Sequence, residues 1–317
     1  RGSHIGNLTD LEEALERDVP FFTEDKFSYS ISSPYQKVNH HLLKFHTKCR
    51  LSDKQWFDIT YAAQYNLRKE FDVRRSGRSD IPALSLKQVS NFIEVKYQNY
   101  LPRNWEFKSG VQINRVGNTN LPETGILPLI TDYISHEYGV FGLVSKNVEK
   151  TTIEFAGRYD FENRNIAAIS ISVPREIIRY ENEYHNLSAM GGVTHEFGKG
   201  WKATYNIGYA ARNPEVNELY SNGLHQGVSG IEEGDPNLNK EISVKNTLSI
   251  KGNIKNKLFV EGLFYYQKID NYIFLNPQDE IRLTIRGAFP VFKYEQTDAR
   301  LIGFDLAATY LATERFN

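Results

Sequence analysis

Apolar and polar residues alternate along most of the chain, with the period of two that β-strands have. The clearest run begins at Trp201, where Lys202, Thr204 and Asn206 separate the apolar residues. The apolar members of this run are Trp201, Ala203, Tyr205, Ile207 and Tyr209. Comparable runs recur throughout the sequence, so it predicts many half-buried strands, each with one apolar, aromatic face and one wet face.

The spacing of the runs predicts a transmembrane barrel. Strands are expected near residues 36–48, 55–67, 84–98, 105–115, 136–146, 152–162, 184–196, 201–211, 241–251, 258–272 and 298–312. The short links are 50–54, 99–104, 147–151, 198–200 and 252–257, and the long links are 68–83, 116–135, 163–183, 213–240 and 273–297. Outer-membrane barrels alternate short and long links in this way, whereas a soluble sandwich has no reason to place every long loop at one end. The fold predicted is all-β, an antiparallel transmembrane β-barrel.

The ends of the chain modify this picture. Thr9 and Glu12 have the spacing of a helix capping box, which predicts a short helix near 10–17, before a strand near 25–32. The alternating pattern is already under way at the first strand and is cut off after Tyr310. A sheet in lipid cannot leave strand edges unpaired, so we expect this chain to be part of a larger barrel wall.

Composition excludes several classes of protein. The 317 residues carry a net charge of -1 and a mean hydropathy of -0.50, and no stretch is apolar enough for a transmembrane helix. The near-neutral charge gives no argument for a nucleic-acid partner. The single cysteine, Cys49, excludes an intrachain disulfide and a cysteine-based zinc cluster. Glu232 and Glu233 are adjacent carboxylates in a predicted loop, which fixes no acid–base separation, so no enzyme activity is predicted.

The long link after the Trp201 strand carries the most specific motifs. Residues 212–220 read R-x-P-x-x-x-E-L-Y, and residues 234–241 read G-D-P-x-L-x-x-E. With these motifs the chain resembles the TonB-dependent receptors, outer-membrane active transporters in which a globular plug fills a 22-stranded barrel. Residues 5–11, 39–44 and 68–75 are similar to stretches of Bacteroidetes-type members.

The resemblance implies a function and a set of partners. Residues 1–317 would be an incomplete segment of a 22-stranded barrel in the bacterial outer membrane, without the plug, the first strands and the last strands. The expected cargo is a small-molecule metal chelate, either haem or siderophore-bound iron, with zinc as a further alternative, and no resident cofactor is expected. The expected partners are TonB, through the plug, and the lipid and lipopolysaccharide of the outer membrane.

The same resemblance indicates candidate ligand-binding residues. The Arg-x-Pro and Pro-Asn-Leu motifs flank a histidine as in haem receptors, and the run from Glu218 to His225 is similar to zinc-uptake relatives. The residues predicted to contact the ligand are His225, Glu218, Tyr220 and Asn222. The imidazole of His225 could ligate haem iron or Zn²⁺, with carboxylates of the link as co-ligands. Alternatively, His225 is a polar loop residue that contacts only backbone or water.

Two other polar clusters are considered as possible binding sites. His40 and His41 are adjacent on a predicted strand and therefore point to opposite faces, so they cannot chelate one ion together. The arginine-rich run 68–78 could bind lipopolysaccharide phosphates or an anionic ligand, but a solvated loop with internal salt bridges is the preferred interpretation.

Three function classes remain open from the sequence: a TonB-dependent importer, a passive porin, and a surface adhesin built from an antiparallel sheet. The first is the preferred hypothesis because the two motifs are specific to that family.

Overall fold

The computed structural model describes residues 7–19, 27, 29, 33–72, 77–170, 172–198, 200–225, 228–255, 257–284 and 287–312. None of the helices in these ranges is long and apolar enough to cross a membrane. The first element is the short helix α1, Leu8–Glu16.

Helix α1 begins earlier than the sequence motif indicated. The cap is Asn7, whose side-chain oxygen accepts a hydrogen bond from the backbone N–H of Asp10 at 2.9 Å. Asn is a stronger helix cap than Thr, so the helix starts before the predicted Thr9 box. The strand predicted near 25–32 lies outside the described residues, apart from residues 27 and 29.

The strands form one 13-stranded sheet. Their bounds are β1 Tyr35–Ser52, β2 Gln55–Phe71, β3 Leu84–Leu101, β4 Trp105–Asn120, β5 Asp132–Val148, β6 Thr151–Ile169, β7 Ile177–Gly198, β8 Trp201–Arg212, β9 Asn222–His225, β10 Gly230–Glu233, β11 Glu241–Ile254, β12 Leu258–Thr284 and β13 Gly287–Tyr310. The order is β1 to β8, then β11, β12 and β13, with every pair in this series antiparallel. Beyond β13 the sheet continues with β10, which runs parallel to β13, and then with β9.

The wall is incomplete, as the sequence predicted. Within the described residues, β1 pairs only with β2, and neither β13 nor β9 is hydrogen-bonded to β1. The sheet formed by this part of the chain therefore does not close on itself, which an isolated barrel in lipid would have to do.

Most strands are longer than predicted at the end next to the long links. The predicted long link 273–297 is wrong, because β12 continues to Thr284 and β13 begins at Gly287. The other long links shrink to 72–83, 121–131 and 170–176, while 213–240 keeps its length. In β12 and β13 the alternation is interrupted by Pro277, Pro290 and a register shift between Pro277 and Ile281, while the ladder of hydrogen bonds resumes at Ile281.

The two faces of the sheet differ as the alternation predicted. Tyr205, Leu248, Phe264 and Phe304 lie opposite one another on adjacent strands, and all four are exposed, by 40% to 78%. The apolar set of the Trp201 run belongs to this outward face, and Lys202, Thr204 and Asn206 belong to the other.

The polar face is the concave one. A cavity of about 860 Å³ is lined by polar side chains from strands as far apart as β2 and β12. They include Asp58, Glu94, Lys108, Arg158 and Gln267. Such widely separated strands can border one cavity only if the sheet curves around its polar face.

The histidines of β1 confirm the assignment of faces. His40 hydrogen-bonds Asn66, while His41 lies on the other face beside the ring of Tyr65, 6.1 Å away. His46 shares the face of His40 and contacts Thr60. The prediction that adjacent histidines point to opposite faces is therefore confirmed.

A charge should be tolerated on one face of β8 and not on the other. Ile207→Lys places an ammonium group on the outward face at the middle of the strand, which costs about 2–4 kcal/mol at the centre of a bilayer. Asn206→Lys, its neighbour, is the matched control on the polar face. Urea unfolding of the whole receptor in lipid vesicles should show the loss for Ile207→Lys alone. Equal losses in both variants would contradict the assignment of faces.

Two groups of links should also lie at opposite rims of the wall. Because consecutive strands are antiparallel, 72–83, 121–131, 170–176 and 213–240 all emerge at one rim, and the links after β1, β3, β5, β7 and β11 emerge at the other. In a Cys49→Ser background, Ser172→Cys should react on intact cells with a thiol reagent that cannot cross the outer membrane. Asp53→Cys should not react until the cells are opened. Reaction of both on intact cells would refute the topology.

Candidate ligand-binding loop

The link 213–240 is built on a small buried core next to the rim. It contains the helix α2, Val216–Tyr220, of which Val216, Leu219 and Tyr220 are buried. These three residues pack against Ile166 of β6, with Tyr133, Tyr180 and Leu238 around them. A capping box supports the helix, because the carboxylate of Glu218 accepts the backbone N–H of Glu215 at 2.6 Å. The base of this loop is therefore a packed structure.

An ion cluster joins the two ends of the loop. The guanidinium group of Arg212 donates to Glu218 at 3.0 Å and to Glu241 at 2.6 Å. Both carboxylates are largely buried, with side chains 13% and 11% exposed. These residues are the Arg and Glu positions of the two sequence motifs, so the motifs specify how the loop is closed at its base.

The glycine of the second motif has a packing role. A Cβ atom on Gly234 would lie 2.6 Å from the backbone of Leu219 and Tyr220. Its N–H donates to the carbonyl of Ser221 at 2.8 Å, and the next N–H, of Asp235, donates to the backbone carbonyl of Glu218 at 2.9 Å. Only glycine permits the returning chain to pass this close over α2.

The outer part of the loop is the hairpin β9–β10. On one side β10 pairs with β13, with Ile231 opposite Val291. On the other side the N–H of Asn222 donates to the carbonyl of Leu129, in the link between β4 and β5, at 3.3 Å. The hairpin thus connects elements that are far apart along the sheet, and it lies across the mouth of the concave face.

His225 lies at the end of β9 and forms an ion pair within the hairpin. Its Nδ1 is 2.6 Å from a carboxylate oxygen of Glu232, a residue only 5% exposed. This hydrogen bond raises the pKa of His225 above its ordinary value, although partial burial acts in the opposite direction. The imidazole is 33% exposed, and among the described residues its Nε2 has no hydrogen-bond partner.

A mostly apolar cavity of about 300 Å³ adjoins His225. Its lining comes from the hairpin, from the link 121–131 and from the ends of β3, β6 and β7, and includes Ala83, Leu121, Ile126, Leu129, Ile169 and Leu224. An apolar pocket with a few polar groups at its edge is the usual form of a small-molecule site.

The other predicted ligand residues lie in different surroundings. Glu218 is engaged by Arg212, and Tyr220 is buried, with its hydroxyl donating to Asn182 at 3.0 Å. Burial also raises the pKa of Tyr220. Asn222 is exposed and shares the hairpin with His225. The structure therefore brings His225 and Asn222 together in the hairpin, and Glu218 and Tyr220 in the base. Their ligand contacts stay predictions.

Two further carboxylates of the link, those of Glu233 and Asp235, also have hydrogen-bond partners. Glu233 lies 2.5 Å from Arg282 of β12, and Asp235 accepts hydrogen bonds from the backbone and side chain of Asn237. Within the described ranges, no group of three or more His, Cys, Asp or Glu side chains is placed to hold a metal ion.

Sequence reasoning missed the partners that reach the loop from other elements. Asn182 and Tyr180 hold Tyr220, the latter by ring stacking at 4.5 Å, and Leu129 holds the hairpin. All three are distant from the link in sequence. No motif marks them, so only the register of the sheet could have found them.

Most of the arginine-rich run 68–78 lies within the described residues. Arg68 pairs with Glu70, and Lys69 lies 2.7 Å from Glu123. The hydrogen bond from Lys69 lowers the pKa of Glu123. These contacts favour the salt-bridged interpretation for this part of the run, while Arg74 and Arg75 lie outside the described residues.

Comparison with solved structures shows the fold. The copper transporter OprC superposes with a TM-score of 0.65 at 15% identity, covering 88% of this chain and 44% of OprC. The ferric-catecholate import receptor Fiu of Escherichia coli K12 superposes with a TM-score of 0.65 at 9% identity, covering 90% of this chain and 47% of Fiu. The hemophore receptor HasR of Serratia marcescens was solved as a double mutant with HasA and heme. It superposes with a TM-score of 0.55 at 14% identity, covering 88% of this chain and 50% of HasR. The chain thus spans half of these proteins or less.

The comparison of sequences shows the family. No protein of curated function matches the chain. The family profile described as TonB dependent receptor-like, beta-barrel, matches residues 8–317, which is nearly the whole chain. The chain therefore belongs to the TonB-dependent receptor family, as part of its outer-membrane β-barrel.

Proposed function

We propose that this chain is the barrel wall of a receptor that imports a scarce metal chelate across the outer membrane, with energy supplied through TonB. The cargo proposed is haem or siderophore-bound iron, and zinc is the alternative. Membership of the family supports this function over a passive porin and over a surface adhesin. The receptor would act as a transporter without a catalytic step.

The observation that carries the proposal is the pair formed by His225 and Glu232. A carboxylate that holds one nitrogen of an imidazole fixes the orientation of the ring and leaves the other nitrogen for a metal. Here Glu232 holds Nδ1 at 2.6 Å. A chelate brings most of its own ligands, so a single imidazole is enough to contact it. The apolar cavity beside His225 would hold an apolar part of that chelate.

The structural neighbours agree with the class of cargo. Their names describe a copper transporter, a ferric-catecholate import receptor and a hemophore receptor bound to heme. Each of these cargoes is a metal or contains one. The proposed partners are TonB, reached through a plug, and the lipid and lipopolysaccharide around the barrel.

Removing the imidazole should weaken ligand binding. His225→Ala should lower the affinity of the whole receptor for haem, or for another chelate that it transports, by at least about tenfold, the lower end of what supporting residues of a metal site contribute. Fluorescence quenching on the purified receptor measures this. His185→Ala is the matched control, because His185 lies on the outward wall beside Tyr159.

The two variants should assemble equally well, since His225 lies in the hairpin and His185 is exposed on the outer face of its strand. Unchanged affinity of His225→Ala for haem, for Zn²⁺ and for ferric siderophores would refute the ligand role of this histidine. A loss of the same size in His185→Ala would show that the effect is not local to the loop.

Glu218 is expected to act through the loop and not by touching the cargo. Glu218→Gln keeps the shape of the side chain but removes the charge that faces Arg212. Amide hydrogen exchange should then accelerate in residues 216–225, and affinity should fall less than in His225→Ala. Unchanged exchange together with a full loss of affinity would instead make Glu218 a direct ligand residue.

A further inference from the structure

A third cavity, of about 340 Å³, lies inside the wall below the base of the loop. Its lining comes from the polar face of β4 to β8 and from the start of the link 213–240. The polar residues that line it are Asn114, Ser135, Glu137, Asp160, Glu162, Arg164, Asn186, Arg212, Asn213 and Glu215. It shares no residue with the cavity beside His225 and differs from it in being polar.

The arginines of this cavity are already neutralised. Arg164 donates to both oxygens of Glu162, and Arg212 is held by Glu218 and Glu241, which lie outside the lining.

The carboxylates are not fully matched. The guanidinium of Arg158 lies 2.5 Å from Asp160 but 4.0 Å from Glu137. Glu137 accepts a hydrogen bond from the neutral side chain of Asn114, so its negative charge is only weakly offset by the described residues. Glu215, the cap of α2, is a further acidic group at the opening. The cavity therefore has an excess of negative charge.

A buried amide oxygen in the same lining has no hydrogen-bond partner among the described residues. Asn186 is 8% exposed, and its Nδ2 donates to the side-chain oxygen of Asn213 at 2.9 Å. Asn213 in turn donates to Glu162 at 2.8 Å. A carboxylate already held by an arginine can only accept, so this chain fixes the orientation of both amides. Within the part of the chain that the structure describes, the Oδ1 of Asn186 is left as an acceptor without a donor.

Glu137 and Asn186 belong to the same patch of the inner wall. Glu137 lies opposite Glu162, and Asp160, two residues before Glu162, lies opposite Asn186. An unmatched carboxylate and an unpartnered amide oxygen so close together accept hydrogen bonds and attract positive charge. A buried acceptor without a donor is unfavourable, and a ligand group with several N–H donors would relieve this.

We propose that this cavity receives a protonated amine carried on an arm of the imported chelate. This inference rests on the proposed import function and narrows its substrate class to chelates that bear an ammonium group. The volume fits such an arm, since whole drug-sized ligands need pockets of roughly 300–1,000 Å³ and this cavity lies at the lower end. Anionic chelates would meet the unmatched carboxylates at the same place.

A pair of probes that differ only in that charge tests the proposal. Ferrioxamine B carries a free terminal amine, and N-acetylferrioxamine B is the same iron complex with the amine blocked. The whole receptor, including its plug, should bind the amine form at least about tenfold more tightly, since hydrogen bonds to charged groups are worth about 1.5–3 kcal/mol. Isothermal titration calorimetry gives both affinities.

Three variants assign the preference to the cavity. Glu137→Gln and Asn186→Leu should each reduce the preference for the amine form severalfold while leaving the affinity for the acetylated form unchanged. Glu183→Gln is the matched control, because Glu183 is exposed on the outward face of β7. It should leave the preference intact.

The outcomes separate this inference from the proposed function. Equal binding of the two probes, binding of neither, or a preference that survives Glu137→Gln would overturn the amine site. If the receptor nevertheless bound haem or a catecholate chelate through His225, the import function would stand without it. Loss of all chelate binding would remove both.

Discussion

The antiparallel ladder from β1 to β8 and on to β13 determines everything else in this structure. In a membrane, every backbone N–H and C=O needs a partner within the protein, and a continuous ladder supplies it. Once the strands are paired in register, side chains fall alternately on an apolar outward face and a polar concave face. The loop, its hairpin and the three cavities are built from that second face and from the rim where the long links emerge.

The base of the loop shows how a local motif uses this frame. Arg212 ends β8, Glu241 begins β11, and the ladder places them opposite each other. The contact between Arg212 and Glu241 therefore follows from the pairing of these strands, and Glu218 joins it from α2. It fixes α2 over the rim, and α2 in turn carries the hairpin with His225. The residues of the two motifs thus shape the base of the loop, and the contact with cargo that we propose falls to His225 in the hairpin.

Much of this was predictable from the sequence, and the limits have physical causes. Alternation identified each long strand because one face is apolar, yet it missed the ends of β12 and β13, where Pro277, Pro290 and a register shift interrupt the period of two. The motifs located the loop, but they could not show that Glu218 serves Arg212 or that Tyr220 is buried against Asn182. The polar cavity was not foreseen at all. Glu137 and Asn186 are far apart in sequence, and only the register brings them together.

The parallel pairing of β10 with β13 has a consequence for the thermodynamics of binding. A loop that orders only when its ligand arrives loses conformational freedom at that moment, and about 0.5–1.5 kcal/mol is lost for each side chain immobilised. Here the hairpin is part of the sheet, and Glu232 already holds the ring of His225. Most of that loss has occurred during folding, so the binding site that we propose at this mouth would be preorganised.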